Sequence, residues 1–139
     1  MKTDNQPLKI LSLFSGIGGL DLAVKNYLYS KVVSYCEIDD FCQKVLKQRM
    51  EDGLLDLAPI HDDVNTIEKV DADMIIAGFP CQPFSHAGLR KGETDERNQW
   101  INTIRIIRMV RPQYILLENV PGLLSGDSEG RQPYVYTIL

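Results

Sequence analysis

Short apolar runs alternating with segments of helical period predict a doubly wound, mostly parallel α/β sheet. Three observations carry this. The apolar runs are continuous rather than alternating, as strands covered on both faces are. The stretches between them repeat their apolar residues at three and four positions. The chemically unusual residues fall just after the runs, where ligands sit in open parallel sheets.

Taken in order, Leu8 to Phe14 (LKILSLF) is a strand that stops at a Gly cluster. Gly19 to Tyr29 is a helix with Leu20, Ala23, Val24 and Tyr27 on one face. Lys31 to Glu37 (KVVSYCE) is the second strand. Asp40 to Met50 is a helix, with Phe41, Val45 and Leu46 on its apolar side and Asp39 or Asp40 as its cap. Gly53 to Ile60 reads equally as a loop or a short strand. Ala72 to Gly78 (ADMIIAG) is a further buried strand. Residues 79–98, rich in Pro, Gly and charge, form a loop long enough to be functional. Trp100 to Val110 is a helix with Ile101, Ile104, Ile107 and Met109 as its apolar members, ended by Arg111-Pro112. Gln113 to Glu118 (QYILLE) is another buried strand, and a last helix can begin at Tyr134.

Composition bounds the class. With 139 residues, 44% of them hydrophobic, the chain suffices for one domain with a core and is too short for two. A net charge of -4 argues against a generally basic nucleic-acid binder, so any such surface is local or lies elsewhere in the protein. No apolar run approaches the ~18 residues of a membrane span. The segment MKTDNQPLK lacks the apolar stretch of a signal peptide. Cys36, Cys42 and Cys81 form no CxxC pair, which argues against a disulfide framework or a metal site. A cytoplasmic protein with no membrane contact is expected.

Four places carry chemistry. Phe14-Ser-Gly-Ile-Gly-Gly19 runs from strand to helix through glycines that let the backbone approach a ligand, although a tight turn alone would also account for it. Glu37 ends the second strand 21 residues after Gly16, the place from which an acid accepts ribose hydroxyls. Together they suggest an adenosine-containing cofactor. In Gly78-Phe-Pro-Cys-Gln-Pro-Phe-Ser85 a cysteine stands near two stiffening prolines at the mouth of the sheet. Cys36 and Cys42 read as inert packing residues, whereas Cys81 opens a polar loop where a thiolate can attack an electrophilic carbon. Glu118, ending a strand expected to be buried, is a carboxyl whose pKa desolvation would raise. Such an acid can donate a proton at neutral pH; capping of a following helix is the plainer reading.

In that order, LFSGIGGLDLA, YCEID, AGFPCQPFS and LLENVPGL resemble motifs I, II, IV and VI of the cytosine-C5 DNA methyltransferases. The resemblance covers Leu8 to Leu124. It implies the Rossmann-like fold of S-adenosylmethionine-dependent methyltransferases. It implies S-adenosylmethionine as cofactor, with Phe14, Ser15, Gly16, Gly19 and Leu20 in its Gly-rich loop. Glu37 matches the acid on the ribose hydroxyls and Ile38 the apolar neighbour of the adenine. Asp63, followed by Val64, resembles the acid that meets the adenine amino group, with Asp62 adjacent. Phe79 and Trp100 match positions lining the pocket, Trp100 replacing a more usual aliphatic residue. Cys81 matches the nucleophile and Glu118 the catalytic acid, acting on a cytosine flipped out of double-stranded DNA. The loop from Gln82 to Asn98 resembles the catalytic loop that closes over the base, with Gln82, Ser85, Arg90, Lys91 and Arg97 available to the nucleic acid. Arg105, Arg108 and Arg111 read instead as a solvated helix face.

The same resemblance implies more protein than Leu139 reaches: an Arg-containing motif, a target-recognition domain and a final cofactor-site helix. Residues 1–139 then correspond to the N-terminal part of a catalytic domain, its sheet truncated before the last strands. The missing half would be supplied in cis or in trans, and an exposed sheet edge would offer a pairing site for a second copy. Two other functions stay open: a non-catalytic module that binds cofactor or a partner, and a tRNA cytosine-5 methyltransferase with the same motifs.

Overall fold

The computed structural model describes residues 6–78 and 99–118. Among these the elements are β1 (Leu8–Leu13), α1 (Gly19–Tyr27), β2 (Ser30–Cys36), α2 (Asp40–Glu51), β3 (Ile60–His61), a 3-10 turn (Val64–Thr66), β4 (Met74–Ala77), α3 (Trp100–Val110) and β5 (Tyr114–Leu117). Every strand pairing is parallel, in the order β3-β2-β1-β4-β5. The winding direction reverses between β1 and β4, so a crevice opens beyond the carboxyl ends of those strands. This is the doubly wound α/β sheet that the alternation predicts.

Both faces of the sheet are covered at its central strands, which is why these read as continuous apolar runs. Successive residues point to opposite faces. Leu11, Leu13, Ile75 and Ala77 meet Trp100, Ile106 and Val110 of α3 on one side. Ile10, Val32, Tyr35, Met74 and Ile76 meet Val24 of α1 and Leu46 and Met50 of α2 on the other. Each fully buried Leu or Ile contributes on the order of 1.5–3 kcal/mol. An irregularity in the β1–β2 register, opposite Ile10 and Leu11, makes Val33 an extra residue in β2.

Local signals set the ends of the elements. Asp39, not Asp40, caps α2: its Oδ1 accepts from the Cys42 N–H at 2.8 Å. Helix α3 stops where Arg111 turns left-handed (φ 53°) and its N–H donates to Ile107 O. Residues 53–59 are loop, and only Ile60–His61 pairs as strand.

Three helix faces differ from expectation. In α1 the inward residues are Asp21 and Val24, while Ala23 and Tyr27 face solvent. In α2 Phe41 is exposed, and Leu46 and Met50 are the buried pair. In α3 Ile101 is exposed; Trp100, Thr103, Ile106 and Val110 are buried, with Ile104, Ile107 and Met109 packed around them. Strand β5 departs most. It was expected to be buried, yet Tyr114, Ile115 and Leu116 are exposed, because it forms the edge of the described sheet. The stretch 79–98 and everything after Glu118 lie outside the described residues.

Candidate active site

A pocket of about 370 Å³ lies beyond the carboxyl ends of β1 to β4, lined by Phe14, Glu37, Ile38, Asp62, Asp63 and Val64, with Cys36, Asn65, Gly78 and Gln99. That volume falls within the ~300–1,000 Å³ usual for small-molecule sites.

Glu37 is its most constrained polar residue. Its Oε2 accepts from the Gly16 N–H at 2.7 Å and its Oε1 from the Asp39 N–H at 2.8 Å. Its own N–H donates to His61 O at 2.9 Å, and its carbonyl accepts from Gln43 Nε2 at 2.6 Å. Each carboxylate oxygen has two acceptor sites, so one remains on each for a neighbouring pair of hydroxyls. The Gly turn is shaped around this contact. Phe14, Gly16 and Gly18 all have positive φ, and a non-glycine residue held so beside a ligand pocket is a strained conformation fixed by its surroundings. At Gly18 the φ of 83° disfavours any side chain, and a Cβ there would lie 2.7 Å from Leu55 Cδ1 and 3.1 Å from Leu46 Cδ2, so those leucines would have to shift.

The far wall is built by Asp63, whose Oδ1 accepts from both the N–H and Nδ2 of Asn65 and caps the 3-10 turn. Asp62 lines the same pocket, so both members of the pair are present. Arg105 was expected on a solvated face. It is half-buried instead, and donates from Nη2 to Val64 O at 2.7 Å and from Nη1 to Ile67 O at 3.4 Å. Arg108 and Arg111 are exposed.

The remaining site residues are placed as follows. Ser15 is buried and ties the turn to the sheet: its Oγ lies 2.8 Å from Ser12 Oγ, and its N–H donates to Cys36 O at 3.0 Å. Leu20 packs into the core on the α1 side. Gly19 begins α1 with open space around it. Trp100 is 1% exposed within the core under α3, away from the pocket lining. Glu118 is exposed at the end of β5, its N–H bonded to Ala77 O at 2.9 Å. Its carboxylate stands beside Gly78, with Oε2 3.2 Å from where a Gly78 Cβ would be. The end of β5 is thereby linked to the pocket edge. Phe79, Cys81, Gln82, Ser85, Arg90, Lys91 and Arg97 lie outside the described residues.

Burial pushes the Cys36 thiol up to about 12, with Glu37 and Asp63 adding to it, which suits a packing residue and not a nucleophile. The Cys42 thiol is also raised. Pocket residues to which sequence reasoning gave no site role include Cys36, read as packing, Gly78, and Asn65 and Gln99. The types of Asn65 and Gln99 carry no signal, and only the turn at Asp63 and the start of α3 bring them there. Among the described residues no group of three or more His, Cys, Asp or Glu is arranged to hold a metal, and no helix is long and apolar enough to cross a membrane.

A Gly turn after β1, an acid after β2 and a pocket at the reversal of strand order define a doubly wound, Rossmann-like α/β protein. Solved structures agree: S. pombe Dnmt2 methyltransferase matches with a TM-score of 0.63 at 29% identity, over 88% of this chain and 39% of that one. A Spodoptera frugiperda DNMT2 mutant matches equally well, with a TM-score of 0.63 at 28% identity, over 88% and 38%. The model of the C-5 cytosine-specific DNA methylase family matches residues 8–137, and the chain belongs to that family. Relatives include the Type II methyltransferases M.Bsp6I of Bacillus sp. (strain RFL6), 35% identical over 137 residues, and M.DsaV of Dactylococcopsis salina, 38% identical over 135. These alignments cover 95% and 92% of this chain but only 42% and 35% of the relatives.

Proposed function

We propose that residues 1–139 are the N-terminal part of the catalytic domain of a DNA cytosine-5 methyltransferase that uses S-adenosylmethionine. The observation that carries this reading is the convergence of Phe14, Glu37, Ile38, Asp63 and Val64 on one pocket, in a chain of this family. The residues fit the cofactor: Glu37 keeps acceptor sites for a ribose diol, Phe14, Ile38 and Val64 offer apolar surface to a base, and Asp63 or Asp62 can accept from an exocyclic amine. When bound, the cofactor supplies an electrophilic methyl group on a sulfonium.

The chain's own residues do the rest. Cys81, as thiolate, adds to C6 of a cytosine flipped out of the duplex and makes C5 electron-rich. Glu118 hydrogen-bonds N3 and stabilises the charge that develops there. After C5 takes the methyl group, loss of its proton expels the Cys81 thiolate and restores the ring. Gln82, Ser85, Arg90 and Arg97 hold the nucleic acid around the site. Double-stranded DNA is the favoured substrate because the relatives above are Type II methyltransferases. The low coverage of those relatives supports a further half, in cis or in trans, that carries target recognition.

Intact-mass analysis of the chain with S-adenosylmethionine and DNA containing 5-fluorocytosine tests the reaction, since fluorine at C5 cannot leave as a proton does. The expected result is an adduct that Cys81→Ser abolishes, produced with DNA and not with tRNA. An adduct on tRNA alone reassigns the substrate. No adduct, even with the C-terminal half of a relative added, leaves a non-catalytic binding module.

A further inference from the structure

We infer that Arg105 is a positioning residue for the cofactor pocket, holding the Asp62–Asn65 wall in place from behind; this rests on the S-adenosylmethionine reading above. The wall has little regular structure of its own: two residues of β3 and a single 3-10 turn. Asp63 and Val64 face the pocket, so a small drift of their backbone would move both the acid and the apolar surface a bound base would meet. Arg105 reaches across from α3 to donate to Val64 O at 2.7 Å and Ile67 O at 3.4 Å, one carbonyl in the 3-10 turn and the other just after it. A planar guanidinium offers several donors in fixed geometry, so it can hold two carbonyls in one arrangement, whereas an ammonium's donors rotate on a flexible stem. Arg105 is half-buried, so solvent screens these bonds only in part. Helix α3 is itself anchored, through Trp100, Ile106 and Val110 in the core, and Gln99, which precedes it, stands at the pocket edge. Arg105 therefore references one wall of the pocket to the element that supplies another.

Calorimetric titration with S-adenosylhomocysteine, together with thermal melting, tests this on the 139-residue chain. Arg105→Met keeps the aliphatic stem and removes the donors; it is expected to weaken binding about tenfold. Arg105→Lys keeps the charge and an ammonium donor group but loses the planar fork, and is expected to recover about half of that loss on a logarithmic scale. Arg108→Met, on the exposed part of the same helix, leaves binding unchanged. Should the methionine variant fail to fold, the lysine variant alone decides, by whether it binds measurably more weakly than the unsubstituted chain. Unchanged affinity with a lowered melting temperature makes Arg105 a packing residue and overturns the inference. A lysine variant that binds no better than methionine also overturns it. Absence of binding by the unsubstituted chain, even with the C-terminal half of a relative added, overturns the cofactor reading itself, and this inference with it.

Discussion

Asp21 is 2% exposed in the first turn of α1, and neither carboxylate oxygen has a hydrogen-bond partner among the described residues. Burial raises its pKa from 3.8 to about 6, and Asp56 adds to this; the neighbouring Ser12, whose hydroxyl is engaged with Ser15, tempers it. A carboxyl with a folded pKa above its unfolded value holds its proton more tightly in the folded state. Its contribution is therefore most favourable below pH 4 and is lost as pH rises to about 6. The loss is on the order of 3 kcal/mol. Asp21→Asn should then be more stable at pH 7.5 by a few kcal/mol, and should lose the pH 4–6 slope, in urea titrations at both ends of that range. At Glu37 the expectation is opposite. Glu37→Gln turns an amide toward one of two backbone donors, so S-adenosylhomocysteine binding should weaken by about 2 kcal/mol or more, read by calorimetry. Residue type and spacing made Glu37 legible in the sequence. Spacing could not show that Ser15 and Trp100 turn into the protein. The side-chain directions around the Gly turn follow from positive φ at Phe14 as well as at the glycines, and nothing about a phenylalanine announces that.

The elements themselves were legible to within a residue or two, because continuous apolar runs and caps such as Asp39 are strong local signals. The helix faces were less so. The inward stripe of α1 passes through Asp21, which counting by apolarity assigns to solvent, and so Tyr27 was drawn to the wrong side. In α3 the stripe passes through Thr103, whose hydroxyl is satisfied within the helix by Gln99 O at 2.9 Å. The burial of Arg105 escapes the sequence for a related reason: its partners are backbone carbonyls 38 and 41 positions away, which no local pattern encodes. The end of α3 gives a direct test. Arg111 adopts a left-handed conformation that costs a side-chain-bearing residue roughly 1–2 kcal/mol. Arg111→Gly should therefore stabilise the chain by about 0.5–1 kcal/mol, after its greater unfolded-state entropy is counted, as a rise in the urea midpoint at constant m-value.

At the scale of the molecule, the described sheet is covered on both faces at its centre and exposed at β5, its outermost described strand. Parallel strands are normally covered on both faces, yet Tyr114, Ile115 and Leu116 are open at β5. The exposure of β5 could not be read from QYILLE, because an edge strand and a central one share the same composition until their neighbours are known.

The strand order also sets a timetable for synthesis. Strand β1 sits in the middle of the described sheet, between β2 and β4, although it is the earliest described strand in the chain. Ile10 pairs with Met74, and the Lys9 N–H reaches Asp73 across 64 positions. At ~5–20 residues per second, a ribosome takes about 3–13 s to make that span. Through that interval one side of β1 has no native partner and Leu11 and Leu13 lack their cover from α3. The nascent chain is thus most exposed to wrong pairing, and to capture by a chaperone, before the ribosome has reached β4.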